Sequence, residues 1–509
     1  MAVSHQWFVQ WSAPSMLFAD ITSQYNKVNE HFGNLETKWI NSSESSVHRY
    51  NNRNVYNGRL QALRDYSKET LERHKPNDRS RSAAITLWLT VMGLSQPQLL
   101  PADNETPPFS TLYKWKNVDF EFPSIRHRRE ALATGKFVPE SVLPLGLEVW
   151  GSRIWVTLPN WRSGVPATLA TVPRAGGVIS PALKPYPDWS YHTALNDDFN
   201  CTKMISVFRV NTDPCGRLWV LDSGKINAQD NSVQVCPPSI FVFDLLTDML
   251  IARYLIPDNY VLQDSLFANI ILDTKTSDCS DLHAYIADTW RFGLIVFRQE
   301  DGMFWKYSNP LFYPDPLASN FTLHGLNFQW SDGIFGLALT PVDHFRERML
   351  FFHSLSSYRE FYVPTSVLRR PSQVNNSFSE FNLVGESRGL YGQSSASAFD
   401  DRGVMFYGLV SRDSIGCWDS NKPYRKRTLG TVAENAETLI FPNDIKINQG
   451  EQQNVWVISN KLPMFQNGSL DSDDYNYRIL YADTKEAVRG TVCDPAIKIP
   501  IRRLLVNRR

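Results

Sequence analysis

The stretch GRLWVLDSG, residues 216–224, decides the fold. It reads as a glycine turn, a strand apolar on both faces around Trp219, and a polar stop. A strand with one wet face alternates apolar and polar residues, whereas a strand apolar throughout is covered on both sides. The same element recurs along the chain. SRIWVTLP surrounds Trp155, LHAYIADT surrounds Tyr285 and RMLFFHSL surrounds Phe351. DRGVMFYGLV around Met405 and QNVWVISNK around Trp456 complete the series, with successive centres 51–66 residues apart. A four-stranded propeller blade needs about 40 residues, so each interval holds one blade with long loops. Companion stretches such as SIFVFDLLTDMLIARYLIP (239–257) and GLIVFRQEDGMFWKY (293–307) read as strand, turn and returning strand. The expectation is an all-β chain: a six-bladed β-propeller over residues 115–495, with a non-propeller N-terminal extension. Two stacked β-sandwiches are the competing architecture. Regular spacing and the lack of a Ser/Gly/Pro-rich divider weigh against them.

Composition agrees with a large buried core. The 509 residues are 42% hydrophobic, 20% charged and 13% aromatic, with 15 Trp. Formal charge is balanced, 52 basic against 52 acidic residues, which gives no electrostatic footprint for nucleic acid. Residues 1–82 are polar and charge-rich, and are expected to be disordered or a gene-model addition. Residues 83–94, AAITLWLTVMGL, follow Arg79 and Arg81 and have the layout of a secretory apolar core within a signal-like segment, 83–100. Twelve residues are too few for a membrane span, which takes about 20. A basic tail, 496–509, ends in Arg508 and Arg509.

The six cysteines are Cys201, Cys215, Cys236, Cys279, Cys417 and Cys493. They form no CxxC pair, so a zinc cluster is not expected. A bridge between Cys417 and Cys493 would close a late loop; the pairing of the other four stays open. Glycosylation sequons begin at Asn41, Asn104, Asn200, Asn320, Asn375 and Asn467, and all but the first lie downstream of the signal-like segment. Together these features predict an extracellular glycoprotein.

Several segments, taken in order, resemble the insect yellow / major royal jelly family. They are WKNVDFEFPS (115–124), LPNWRSGVPATLATVP (158–173), SPALKPYPDWSYH (180–192) and ISVFRVNTDPCGRLWVLDSG (205–224). CPPSIFVFDLLT (236–247), AYIADTWRFGLIVF (284–297), GIFGLAL (333–339), SSYREFYVPTSVL (356–368) and VWVISNKLPMF (455–465) continue the order. The first of these is similar to the family's opening strand. Asn160 stands where an Arg is usual in the family's pattern. The resemblance implies a secreted six-bladed propeller with disulfides and glycans. Roles within the family include cuticle pigmentation, binding of small aromatic amines, storage, and dopachrome conversion. Membership alone therefore selects no single role.

A propeller's axial channel is the natural ligand site. Amine-binding members of the family use an Asn-x-Phe element in the last blade, matched here by Asn460-Lys461-Leu462. Leu462 removes a stacking face relative to that pattern. FPNDIKI (441–447) reads as a strand entering the channel, with Asn443 and Asp444 at its start. Asp444 is suited to pair with a ligand ammonium. HGLNFQW (324–330) groups His324, Asn327 and Trp330, and His324 is the candidate for proton transfer. Asp213, Asp222, Asp288 and Arg217 read as structural turn partners. No HxH or HExxH metal spacing, G-x-S-x-G elbow, P-loop or dinucleotide glycine pattern is present, so no metal or cofactor is expected.

Three functions compete. The favoured one is a secreted pigmentation, cuticle or eggshell protein that binds a small aromatic amine or catechol. The second is a dopachrome isomerase of melanin synthesis. The third is a structural or storage role with no ligand.

Overall fold

The computed structural model describes residues 108–193, 199–228 and 231–497. The polar extension, the signal-like segment, the sequons at Asn41 and Asn104, and nearly all of the basic tail lie outside these residues.

Six four-stranded antiparallel sheets form the domain. Their innermost strands are Gly146–Trp150, Val207–Thr212, Phe267–Asp273, Ile334–Leu339, Ser394–Phe399 and Pro442–Ile447. Each of these strands lies against the next, and the last lies against the first, so the sheets close a ring as blades 1 to 6. All six repeat centres fall on the second strand of a blade. Trp155, Trp219, Tyr285, Phe351, Met405 and Trp456 are all buried there. A second strand has a sheet neighbour on each edge and a blade against each face. That is why these strands lack the usual polar alternation.

Ring closure departs in detail from the reading of 115–124 as the opening strand. The first strand is Ser110–Trp115, and it pairs with Tyr477–Asp483 as the outermost strand of blade 6. Blade 6 is thus built from both ends of the domain. Trp115 seals the seam: it is 1% exposed, and its indole N–H donates to Pro181 O of blade 1 at 2.8 Å.

Disulfides tie Cys201 to Cys236, Cys215 to Cys279 and Cys417 to Cys493. The last is the bridge expected from the sequence. Cys215–Cys279 joins blade 2 to blade 3, and Cys417–Cys493 holds the segment after blade 6 on blade 5. Replacing Cys417 and Cys493 together by Ser is expected to cost about 2–4 kcal/mol, read as a lowered denaturant midpoint.

The acidic turn residues are structural. Asp222 accepts from the backbone N–H of Ile205, Ser206 and Gly224. Asp213 accepts from Arg217 and from the Trp219 indole, and Asp288 from Ser265 and Leu266. Asn200, Asn320, Asn375 and Asn467 are exposed. No helix among the described residues is long and apolar enough to cross a membrane.

Candidate functional site

The six innermost strands all begin at the same end of the ring. At their N-terminal ends lies a cavity of about 180 Å³. Every blade contributes to its wall. Blade 1 gives Leu145 and Trp161, blade 2 Phe208, blade 3 Leu266 and Trp290, blade 4 Phe335 and Leu355, blade 5 Ser395, and blade 6 Phe441 and Asn443.

A local backbone device aims these side chains. Five of the six innermost strands carry an irregularity in their first residues, where the pairing register with the second strand slips. The slips leave out Phe208, Ala268, Phe335, Ser395 with Ala396, and Asn443. Each slip thus supplies a cavity-lining residue: Phe208, Ala268, Phe335, Ser395 and Asn443. A β-bulge frees one residue from the ladder and turns its side chain. Here the freed residue faces the axis. Blade 1 keeps unbroken register and instead supplies Leu145 from just ahead of its strand.

The lining is mostly apolar, and six of its residues are aromatic: Trp161, Phe208, Trp290, Trp330, Phe335 and Phe441. Trp330 meets Phe441 edge-on, centroids 5.8 Å apart. Phe441 holds φ at +51°, a left-handed conformation that a bulky side chain adopts at a cost of order 1 kcal/mol or more. Two lining hydroxyls are occupied. Thr289 Oγ1 donates to Ile334 O at 2.9 Å, and Ser395 Oγ donates to Pro442 O.

Asp332 is the one ionisable group among the described lining residues. It sits between the Asn320–Leu323/Leu326–Gln329 hairpin and the first strand of blade 4. The residue is half-buried and its carboxyl is densely enclosed. Burial pushes its pKa up to about 6, opposed by a hydrogen bond from the Trp290 side chain. A carboxyl poised there can give or take a proton near neutral pH.

Of the residues singled out from sequence, Asn443, Leu462 and Trp330 line the cavity. Asn460 does not: its amide N–H donates to Pro144 O at 2.9 Å and the residue is fully buried. Asp444 lies behind the wall, 3.4 Å from Arg209 Nε, accepting from Leu147 N. Asn327 donates to Phe321 O and Thr322 Oγ1 within the hairpin. His324 occupies the hairpin tip with φ +46°, next to Gly325 at +83°, and its Nε2 lies 2.7 Å from Asp413 of blade 5. His192, His283 and His353 are buried away from the cavity, and burial pushes His192 down to about 4. Sequence reading missed Asp332, Trp161, Trp290 and Arg209. The WSDG turn, 330–333, was the available signal for Asp332: an acid two residues after an aromatic and just ahead of an apolar strand.

The family model described as major royal jelly protein matches residues 205–493. The chain is 43% identical over 389 residues to the dopaminechrome tautomerase of Drosophila melanogaster, covering 75% of this chain and 84% of that protein. It is 40% identical over 386 residues to protein yellow of Drosophila subobscura, covering 75% of this chain and 66% of that protein. Among solved structures, virginiamycin B lyase from Staphylococcus aureus aligns at a TM-score of 0.37 and 11% identity, over 68% of this chain and 95% of that one. On the family model and these identities, the chain belongs to the major royal jelly protein / yellow family.

Proposed function

We propose that this chain is a secreted aminochrome tautomerase of pigment formation, acting in the axial cavity. The observation that carries the reading is Asp332, a carboxyl with its pKa raised to about 6 inside an aromatic cavity. The relative named dopaminechrome tautomerase supports the choice of substrate class. An aminochrome is a flat bicycle, an o-quinone fused to a dihydropyrrole ring. Its tautomerisation moves protons and changes no composition. Each shift breaks one C–H bond, sends that electron pair into the ring system and forms one O–H bond at a quinone oxygen. No oxidant enters.

Asp332 as carboxylate takes the ring proton, and the aromatic walls hold the bicycle flat beside it. Asn443 offers its amide to the quinone oxygen on which charge gathers. The three disulfides and the exposed sequons support an extracellular glycoprotein. The test is loss of dopaminechrome visible absorbance, and appearance of the dihydroxyindole, with purified protein against a heated control. Equal rates would remove the proposal.

A second reading, an amine-binding protein without turnover, uses the same carboxyl as an ammonium partner. The aromatic walls favour it equally. Calorimetric heat with dopamine or serotonin, without aminochrome turnover, would select it.

The pH dependence has a definite sign. Turnover by Asp332 carboxylate is expected to fall about tenfold per unit below pH 6 and to level off above it. The folded pKa is raised, so this group's contribution to stability is present below about 4, its unfolded value, and is lost as pH rises through about 6. Activity and this share of stability therefore run in opposite directions between pH 4 and 6. An activity profile and a thermal melt series over that range check both.

A further inference from the structure

Behind the cavity wall lies a guanidinium that the reaction scheme above does not use. Arg209 stands on the innermost strand of blade 2, directly after the bulged Phe208, and is 0% exposed. It reaches three of the five bulges. Nη1 donates to Phe208 O at 3.1 Å, the Phe335 ring centroid lies 5.5 Å from Cζ, and Nη2 donates to Asn443 O at 3.2 Å. Its shortest bond is to a neutral group: Nη2 donates to Asn443 Oδ1 at 2.6 Å. The contact with the carboxylate of Asp444 is longer, 3.4 Å, and Nε makes no hydrogen bond. Room is kept for this arrangement, since a Cβ on Gly146 would lie 2.9 Å from Arg209 Cδ.

A guanidinium has donors and no acceptor. The Asn443 atom facing it must therefore be the amide oxygen, and the NH2 must face the other way. Asn443 lines the cavity, and its Nδ2 has no hydrogen-bond partner among the described residues. A charge-assisted bond to the amide oxygen also polarises the amide, which makes its N–H a stronger donor. A buried cation held only for stability would be cheaper to replace with apolar packing. Here its best geometry goes to orienting one amide.

We propose that Arg209 is a positioning residue for the tautomerase reaction: it locks the Asn443 amide so that its NH2 meets the substrate's quinone oxygen. This rests on the reading of the cavity as an aminochrome site, and the experiment separates the two.

In Asp332→Asn protein, dopaminechrome should bind without turning over. A hydrogen bond to its quinone oxygen should shift the bound visible band to the red of the free band. Adding Arg209→Lys keeps a positive charge but loses the planar fork, so the shift should collapse while affinity stays within about tenfold. In Asp332-containing protein, Arg209→Lys should lower kcat about 10–100-fold with KM little changed, the range seen for groups that orient others. Arg209 is buried, so Asn443→Asp serves as the second variant. Its carboxylate gives Arg209 a charged partner and preserves shape, but it removes the donor, and kcat should fall about 10²–10³-fold. A folded Arg209→Lys protein that retains the shift, or an Asn443→Asp protein with wild-type kcat, overturns the proposal and leaves the tautomerase reading standing. An Asp332→Asn protein that binds no dopaminechrome, or one that keeps wild-type turnover, overturns both.

Discussion

Asp332→Asn is expected to lower kcat for aminochrome conversion by about 10²–10⁴-fold, the usual contribution of a positioned general base. The substitution changes almost nothing else. Asn has the same outline, and its amide oxygen can still accept from the Trp290 side chain. Removing an enclosed ionisable group also removes a cost of desolvation, so the melting temperature at pH 7 should stay level or rise. The pH dependence described above should vanish with it. Steady-state kinetics and a thermal melt on one preparation check these outcomes. Full activity in a folded Asp332→Asn protein would leave no group in the cavity able to move the proton, because no second ionisable side chain lines it among the described residues.

Removing the closing strand Ser110–Trp115 is expected to be the most damaging change to stability. Blade 6 would lose its fourth strand, and the seam beside blade 1 would lose Trp115. The single substitution Trp115→Ala gives a graded version, with an expected cost of about 3–5 kcal/mol for a fully buried large aromatic. Part of that cost is the orphaned Pro181 carbonyl, which Trp115 Nε1 now satisfies at 2.8 Å. The Tyr113 hydroxyl, which donates to Pro173 O at 2.7 Å, is another anchor of this strand on blade 1. A double variant should exceed either single one, since the two side chains fasten the same strand. Chemical denaturation measures the cost, and limited proteolysis should show the first cuts near the seam. Wild-type stability in Trp115→Ala would mean the ring is held shut by other means.

The fold was legible and most of the cavity was not, for one physical reason. Second strands such as Arg217–Asp222 are enclosed on both faces, so their apolar runs stand out at any position in the chain. The bulged starts of the innermost strands do the opposite. Alternation predicts that Phe208 and Arg209 point to opposite faces, yet Phe208 lines the cavity and Arg209 reaches the bulged residues behind its wall. No period describes such a pair. Asn443 was found because an Asn-Asp pair opening a strand is conspicuous, and Leu462 through the family pattern. Asn460 and Asp444 were conspicuous for the same reasons, but they serve the backbone of blade 1 through Pro144 O and Leu147 N. Asp332 sits in a turn of ordinary composition, and only the meeting of six blades makes it special.

Joining Ser110–Trp115 to Tyr477–Asp483 has a consequence for how the protein is made. The first strand leaves the ribosome with no partner and must wait for nearly the whole domain to be synthesised. Until then blade 6 lacks its two outer strands, and the ring has nothing to fasten its two ends together. A chain that ends before Tyr477 leaves Ser110–Trp115 without its sheet partner, so the missing piece is the keystone rather than an ornament.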